Sequence, residues 1–306
     1  MQTTIDTTVA FEGVGLHLGQ PMSVIVRPAP ADHGIVFRRT DVEASKADVP
    51  ALWHRVTVSP LNTRIQNAAG TSVSTIEHIM AALAGCGLHN ALIEVTGPEV
   101  PILDGSAAQF VEGFLRAGIR HLNAPLRVIE VRKSVVVKVG DAQARLDTAD
   151  TLHIRFEIDF TDRAIGHQKK TLNMSNGAFV RELSNSRTFC RSSDVDAMRA
   201  QGLGLGGTLE NAVVVDGADV LSPGGLRHKD EAVRHKMLDA LGDLYTAGAP
   251  ILGCYTGSKA GHAVTNALLR ALFADPDAWG WRDADVAITA RLPGVGLRWT
   301  DLPVVA

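Results

Sequence analysis

Glu231-Ala232-Val233-Arg234-His235-Lys236-Met237-Leu238-Asp239-Ala240-Leu241-Gly242-Asp243-Leu244-Tyr245 decides how this chain of 306 residues is read. At about 100° per residue, Val233, Met237, Ala240, Leu241 and Leu244 fall on one arc of a helix. His235, Lys236, Asp239 and Asp243 fall on the arc roughly opposite, so one face suits a core and the other carries chemistry. An earlier stretch follows the same plan. Ser74-Thr75-Ile76-Glu77 has the S-x-x-E form of a capping box, and Ile76, Ile79, Met80 and Leu83 follow at helical spacing, with Gly85 expected to close the helix. His78 aligns with His235, Met80 with Met237 and Gly85 with Gly242, each pair 157 residues apart, and each helix leads into an apolar strand. An offset near half the chain points to a duplicated α+β domain.

The surrounding segments fit that plan. Ser23–Arg27, Gly34–Arg38 and Ala91–Val95 read as strands, and the Asp104-Gly105-Ser106 turn leads into a helix carrying Phe110, Val111, Phe114 and Leu115. Periodicity lapses around Arg120–Leu126, where Pro125 marks a linker. New strands follow at Leu126–Val131, Ser134–Val139 and Leu152–Ile158. The expected organisation is two α+β domains, residues 1–122 and 126–306.

Acidic and basic residues nearly balance at a net charge of −3, which leaves no broad electrostatic footprint for nucleic acid. No apolar run reaches the 18 or so residues of a membrane span, and the start, Met1-Gln2-Thr3-Thr4-Ile5-Asp6, lacks the form of a signal peptide. A cytoplasmic, monomeric enzyme is the expectation. Cys86, Cys190 and Cys254 lie far apart without a CxxC, suggesting neither a disulfide framework nor a thiolate cluster. Two glycine-rich stretches are set aside as nucleotide loops. Gly202–Gly207 lacks a preceding buried strand and the Lys-Ser/Thr of a phosphate loop, and reads as a flexible turn; Gly13–Gly19 opens no helix.

His235 and Asp239, four apart, stand one turn above the other and can bind one cation, although a solvated amphipathic face also accounts for an isolated H-x-x-x-D. His78 lies roughly opposite the Ile76, Met80 and Leu83 stripe, on a face expected to be open and lined by Ala81 and Ala82. If the two faces meet, His78, His235 and Asp239 supply two imidazoles and a carboxylate. With a vacant fourth position, that is the donor set of catalytic zinc, which lowers the pKa of water toward about 7. Glu77 can serve as general base or as the N3 residue of the capping box. His262, in the turn Ser258–Ala263, can be a capping or surface residue or a catalytic one. The helix N-terminus disfavours its imidazolium and a nearby Asp243 favours it.

Seven ordered motifs carry a resemblance covering nearly the whole chain. They are Gly13–His17, Gly34–Asp41, Ser74–His78, Pro101–Ala107, Ser186–Phe189, Val233–Asp239 and Lys259–His262. The chain resembles the zinc-dependent UDP-3-O-acyl-N-acetylglucosamine deacetylases, which catalyse the committed step of lipid A synthesis. The resemblance implies two α+β domains of similar topology, each a mixed sheet layered with helices, with the active site between them. It implies zinc ligands His78, His235 and Asp239, general base Glu77, and His262, supported by Asp243, at the leaving amine. It assigns Thr188 to the oxyanion, Lys236 and Lys259 to the sugar nucleotide, Phe160 to the uracil end, and Phe189 to substrate binding.

The sequence departs from the family's generally apolar acyl passage at Cys190-Arg191-Ser192-Ser193-Asp194-Val195-Asp196-Ala197-Met198. This polar segment is expected at a wet mouth, and it leaves open a shorter acyl chain or another N-acetylated sugar. A catalytically silent sugar-nucleotide or partner binder is the alternative of another class. The complete set of five, His78, His235, Asp239, Glu77 and His262, speaks against it.

Overall fold

A computed structural model describes residues 1–303; residues 304–306, the end of the expected second domain, lie outside the described residues. Seven helices occur among them: α1 (Glu77–Cys86), α2 (Ala108–Ala117), α3 (Ala178–Glu182), α4 (Ser192–Ala200), α5 (Glu231–Tyr245), α6 (His262–Ala274) and α7 (Val286–Thr289). The class is α+β, as expected.

The first large sheet has five strands in the order Val9–Val14, Pro21–Pro28, Ala91–Val95, Ile35–Arg39, Asp48–Pro50. Its one parallel pairing runs from Ile35 beside Ala91 to Arg39 beside Val95. Val24, Val26, Phe37, Ile93 and Val95 are all buried. Phe11 packs edge-on to Phe110 and Phe114 of α2, with Gly113 leaving room for its ring.

The second sheet has seven strands around Ile251–Ser258. Leu152–Asp159 runs parallel along one edge of that strand, while the other edge meets Arg127–Val131 and then, antiparallel, Ala142–Asp147. A strand flanked on both edges and covered on both faces reads as a continuous apolar run, as Ile251-Leu252-Gly253-Cys254-Tyr255 does.

The two helices that point to duplication pack against each other, and α5 also contacts α6 and the strand Leu152–Asp159. Several local expectations change. Helix α1 ends at Cys86, not Gly85: Gly87 takes the left-handed conformation (φ 68°) and donates to Ala84 and Leu83, while Leu88 N–H reaches the Leu83 carbonyl. Gly85 instead lies inside the helix, where a Cβ would collide with the Phe179 ring. All of α1 is buried, so its His78 face is a contact and not an open surface. The expected linker begins with a strand, Ile119–His121, that pairs with Thr3–Ile5, and Gln2 N–H bonds to the Ala124 carbonyl. Gly202–Gly207 is not a free turn. Leu205 and Gly206 donate to the carbonyls of His17 and Leu16, and a Cβ on Gly206 would lie 2.3 Å from the Gly15 oxygen.

Candidate metal and catalytic site

His78 is the second residue of α1, and His235 and Asp239 lie one turn apart on α5. All three are buried, with donor atoms within 4.8 Å of one another. Asp239 Oδ1 stands 3.6 Å from His78 Nε2 and 3.3 Å from His235 Nε2, and the imidazole rings are edge-to-face at 5.0 Å.

The His235 tautomer is fixed from behind, because Nδ1 lies 3.0 Å from the Ser186 carbonyl, which can only accept. Burial above all pushes the His235 pKa down to about 4, with the Asp239 charge opposing. A neutral ring therefore presents its Nε2 lone pair to a carboxylate oxygen. Asp239 Oδ1 is itself buried without a hydrogen-bond partner, so acceptor faces acceptor and the arrangement calls for a cation. Donors about 2.0–2.1 Å from a tetrahedral centre lie about 3.3–3.4 Å apart, so these residues fit zinc. Asp239 Oδ2 accepts from Lys236 Nζ at 2.8 Å. Burial raises the Asp239 carboxyl, but its basic neighbours, His235 and Lys236, outweigh it and hold the pKa well below the usual range. Burial likewise lowers the Lys236 ammonium, and Asp239 more than reverses that.

Glu77 does not cap α1. The capping-box expectation fails because the helix begins at Glu77 itself, Ile76 is its N-cap residue, and no side chain caps it. Glu77 Oε2 instead accepts from the Thr63 N–H at 3.0 Å, and Oε1 stands 4.0 Å from His262 Nε2. Burial raises the Glu77 pKa against the lowering charges of His262 and His78, leaving a carboxylate with increased proton affinity.

His262 opens α6, and its Nδ1 lies 2.9 Å from Asp243 Oδ2. Burial lowers its pKa, but the Asp243 charge, the hydrogen bond between them and the charges of Glu77 and Asp239 lift it to about 9. Of the two effects the sequence left open, the structure shows the Asp243 one: a carboxylate in contact with the ring.

The remaining candidates spread outward. The Phe189 ring is edge-on to His235 at 6.3 Å, and Phe160 is edge-on to Phe189 at 5.4 Å. Thr188 is fixed through its backbone, donating to the Gly105 carbonyl and accepting from Val213 N–H. A Cβ on Gly105 (φ 85°) would lie 2.0 Å from the Asn211 oxygen, which explains the glycine in that turn. Lys259 is not drawn into the metal cluster: its half-exposed ammonium pairs with Asp159 at 3.3 Å. Helix α4, which follows Arg191, buries none of its residues, and Arg191 is tied to Asp162 at 2.6 Å.

Several supporting residues were missed in the sequence. Thr63 meets both Glu77 and Asp243. Fully buried Glu99 accepts from His17 N–H, Leu18 N–H and the Thr75 hydroxyl. A Cβ on Gly15 would lie 2.3 Å from a Glu99 oxygen, so the glycine-rich stretch serves this carboxylate. His17 is buried with Nε2 unpartnered; burial lowers its pKa, Glu99 opposes, and the His262 charge lowers it further. Glu99 lies in the Gly- and Pro-containing stretch Thr96-Gly97-Pro98-Glu99-Val100-Pro101, and neither it nor Thr63 carried a readable signal.

Among the described residues, no helix is long and apolar enough to cross a membrane. The sequence model of the UDP-3-O-acyl N-acetylglycosamine deacetylase family matches residues 2–274. The UDP-3-O-acyl-N-acetylglucosamine deacetylase of Phenylobacterium zucineum is 51% identical over 278 residues, covering 91% of this chain and 95% of the relative. That of Shewanella baltica is 44% identical over 299 residues, covering 96% and 97%. With a match along nearly the full length of these relatives, the chain belongs to the UDP-3-O-acyl N-acetylglycosamine deacetylase family.

Proposed function

We propose that this chain hydrolyses the N-acetyl group of a UDP-3-O-acyl-N-acetylglucosamine in lipid A biosynthesis, releasing acetate and the free amine. The observation that carries the reading is the unpartnered Asp239 Oδ1 facing two imidazole nitrogens, beside the Glu77 and His262 pair. His78, His235 and Asp239 would hold zinc, which when bound supplies Lewis-acid polarisation of the amide carbonyl and acidifies water.

The chain's own residues do the rest. Glu77, with raised proton affinity, takes the proton of the attacking water at Oε1, while Thr63 N–H holds its other oxygen. The Thr188 hydroxyl donates to the carbonyl oxygen as it gains charge. His262 keeps its Nε2 proton at neutral pH because Asp243 stabilises the imidazolium, and gives it to the departing nitrogen. Lys236, Lys259, Phe160 and Phe189 bind the sugar nucleotide and its flanks. The reading brings with it a cytoplasmic monomer without a nucleic-acid partner, with residues 1–122 and 126–306 as its two domains.

The exposed, polar α4 region supports a second reading, in which the same chemistry acts on a shorter acyl chain or another N-acetylated sugar. Metal analysis with an acetate-release assay tests the main one. About one zinc per chain is expected, with acetate release from the UDP-sugar abolished by chelation and restored by zinc. A stable, metal-free protein that releases no acetate would instead identify a binder.

A further inference from the structure

Thr63 directs all three of its polar groups at the catalytic unit. Its N–H donates to Glu77 Oε2 at 3.0 Å, its carbonyl accepts from Ile76 N–H at 3.3 Å, and its hydroxyl donates to Asp243 Oδ1 at 2.5 Å. The two backbone bonds clamp the start of α1 and would form with any residue that keeps this conformation. The hydroxyl alone depends on residue type, and it crosses from α1's neighbourhood to α5. Thr63 is buried, so water cannot replace that donor cheaply.

The hydroxyl completes the surroundings of Asp243. Oδ1 takes Thr63 and Oδ2 faces His262 Nδ1 at 2.9 Å, which fixes the plane of the carboxylate. The carboxylate in turn aims the imidazole so that Nε2 stands 4.0 Å from Glu77 Oε1. Glu77 is held from its other oxygen by the same residue, closing a ring of Thr63, Asp243, His262 and Glu77. The preceding turn is braced internally, with the Ser59 hydroxyl on Asn62 Oδ1 and Asn62 Nδ2 on the Pro60 carbonyl.

We infer that Thr63 is a positioning residue for the deacetylation: through its hydroxyl it orients Asp243, and hence the proton-donating nitrogen of His262. It does not touch the reacting atoms. The inference rests on the proposed function, and the assays below separate failure of one from failure of the other.

Thr63→Val keeps shape and both backbone bonds but removes the hydroxyl, whereas Thr63→Ser keeps the hydroxyl. Thr63→Val is expected to lower kcat about ten-fold with KM within about two-fold and zinc content unchanged, and Thr63→Ser to restore most of the rate. In an Asp243→Asn background, Thr63→Val should cause little further loss, because both changes break the same link. Equal loss in Thr63→Val and Thr63→Ser, full additivity with Asp243→Asn, or a fall in zinc content would overturn the inference. So would wild-type kcat in Thr63→Val. If the unmodified, zinc-loaded chain released no acetate, the functional reading itself would fail.

Discussion

Gly242 of α5 rests on the Glu77 carbonyl of α1 so closely that a Cβ would lie 2.0 Å from that oxygen and 3.1 Å from the Ala81 nitrogen. The obstacles are helix backbone, which cannot swing aside as a side chain can. This contact brings the His78 and His235 rings within 5.0 Å of each other. In an isolated helix, Gly→Ala stabilises by about 1 kcal/mol. Here Gly242→Ala is expected to reverse that sign, destabilising by about 1–3 kcal/mol through overpacking and weakening zinc affinity as the helices part. Urea unfolding and a competitive chelator titration measure the two effects; an alanine variant at least as stable as the parent would contradict the argument.

Separating metal loss from base loss distinguishes the residues' roles. His78→Ala and Asp239→Ala should lose zinc and activity together, whereas Glu77→Ala should keep zinc and lose about 100-fold or more in turnover. Zinc content measured beside acetate release decides it, and loss of metal from Glu77→Ala would argue against a pure base.

The alkaline side of the pH profile should belong to His262. Its pKa is raised to about 9, so the proton needed by the leaving amine is present at neutral pH and lost as pH rises. Bound zinc repels the imidazolium, so the limb of kcat should fall below about 9 while staying above neutrality. Asp243→Asn removes the stabilising charge, and the limb should move down by about one unit or more. An unmoved limb would assign that titration to another group.

Glu231, at the start of α5, is buried and accepts from Arg187 N–H, the Arg187 guanidinium and Arg227 N–H. Its pKa is held below the usual range because those donors outweigh the raising effect of burial. Glu231→Ala strands the Arg187 charge and should cost about 3–5 kcal/mol. It also frees the segment that carries the Ser186 carbonyl behind His235, so zinc affinity should fall with stability. Thermal unfolding with and without zinc reads both, and a loss under about 1 kcal/mol would show that Arg187 finds water instead.

Polarity after Phe189 should flatten chain-length dependence. Burial of each methylene contributes about 0.8 kcal/mol in an apolar passage. Arg191 is held by Asp162 and α4 buries nothing, so kcat/KM across 3-O-acyl chains of increasing length should rise less steeply than that. A rise of the full increment per methylene would place the acyl chain elsewhere.

Much of the framework was legible from local pattern. The α5 boundaries at Glu231 and Tyr245 and the strand Ala91–Val95 agree with the sequence reading residue for residue. In both, the period of apolar residues is set by the element's own geometry and needs no knowledge of partners. The spacing of His235 and Asp239 and the adjacency of Glu77 and His78 are local in the same sense, so a candidate metal set could be written down from spacing and a repeated helix.

The ends and the charges depended on contacts. Gly85 looked like a stop, yet it lies under Phe179, and the chain turns at Gly87, where a left-handed residue satisfies the last carbonyls. The S-x-x-E pattern could not reveal that Glu77 accepts from the Thr63 N–H rather than capping its own helix.

The sequence by itself determined the most strongly periodic elements, such as α5 and the strand Ala91–Val95, the fold class and the chemical types available to the site, because periodicity and spacing act over a few residues. Only the tertiary structure decided that Thr63 reaches Asp243 across 180 positions, that His262 is held charged and His235 neutral, and that Asp239 Oδ1 is left without a partner. A hydrogen-bond partner is chosen by packing, and a protonation state by the balance of burial against neighbouring charge. Both are properties of the assembled neighbourhood and have no counterpart in the order of residues along the chain.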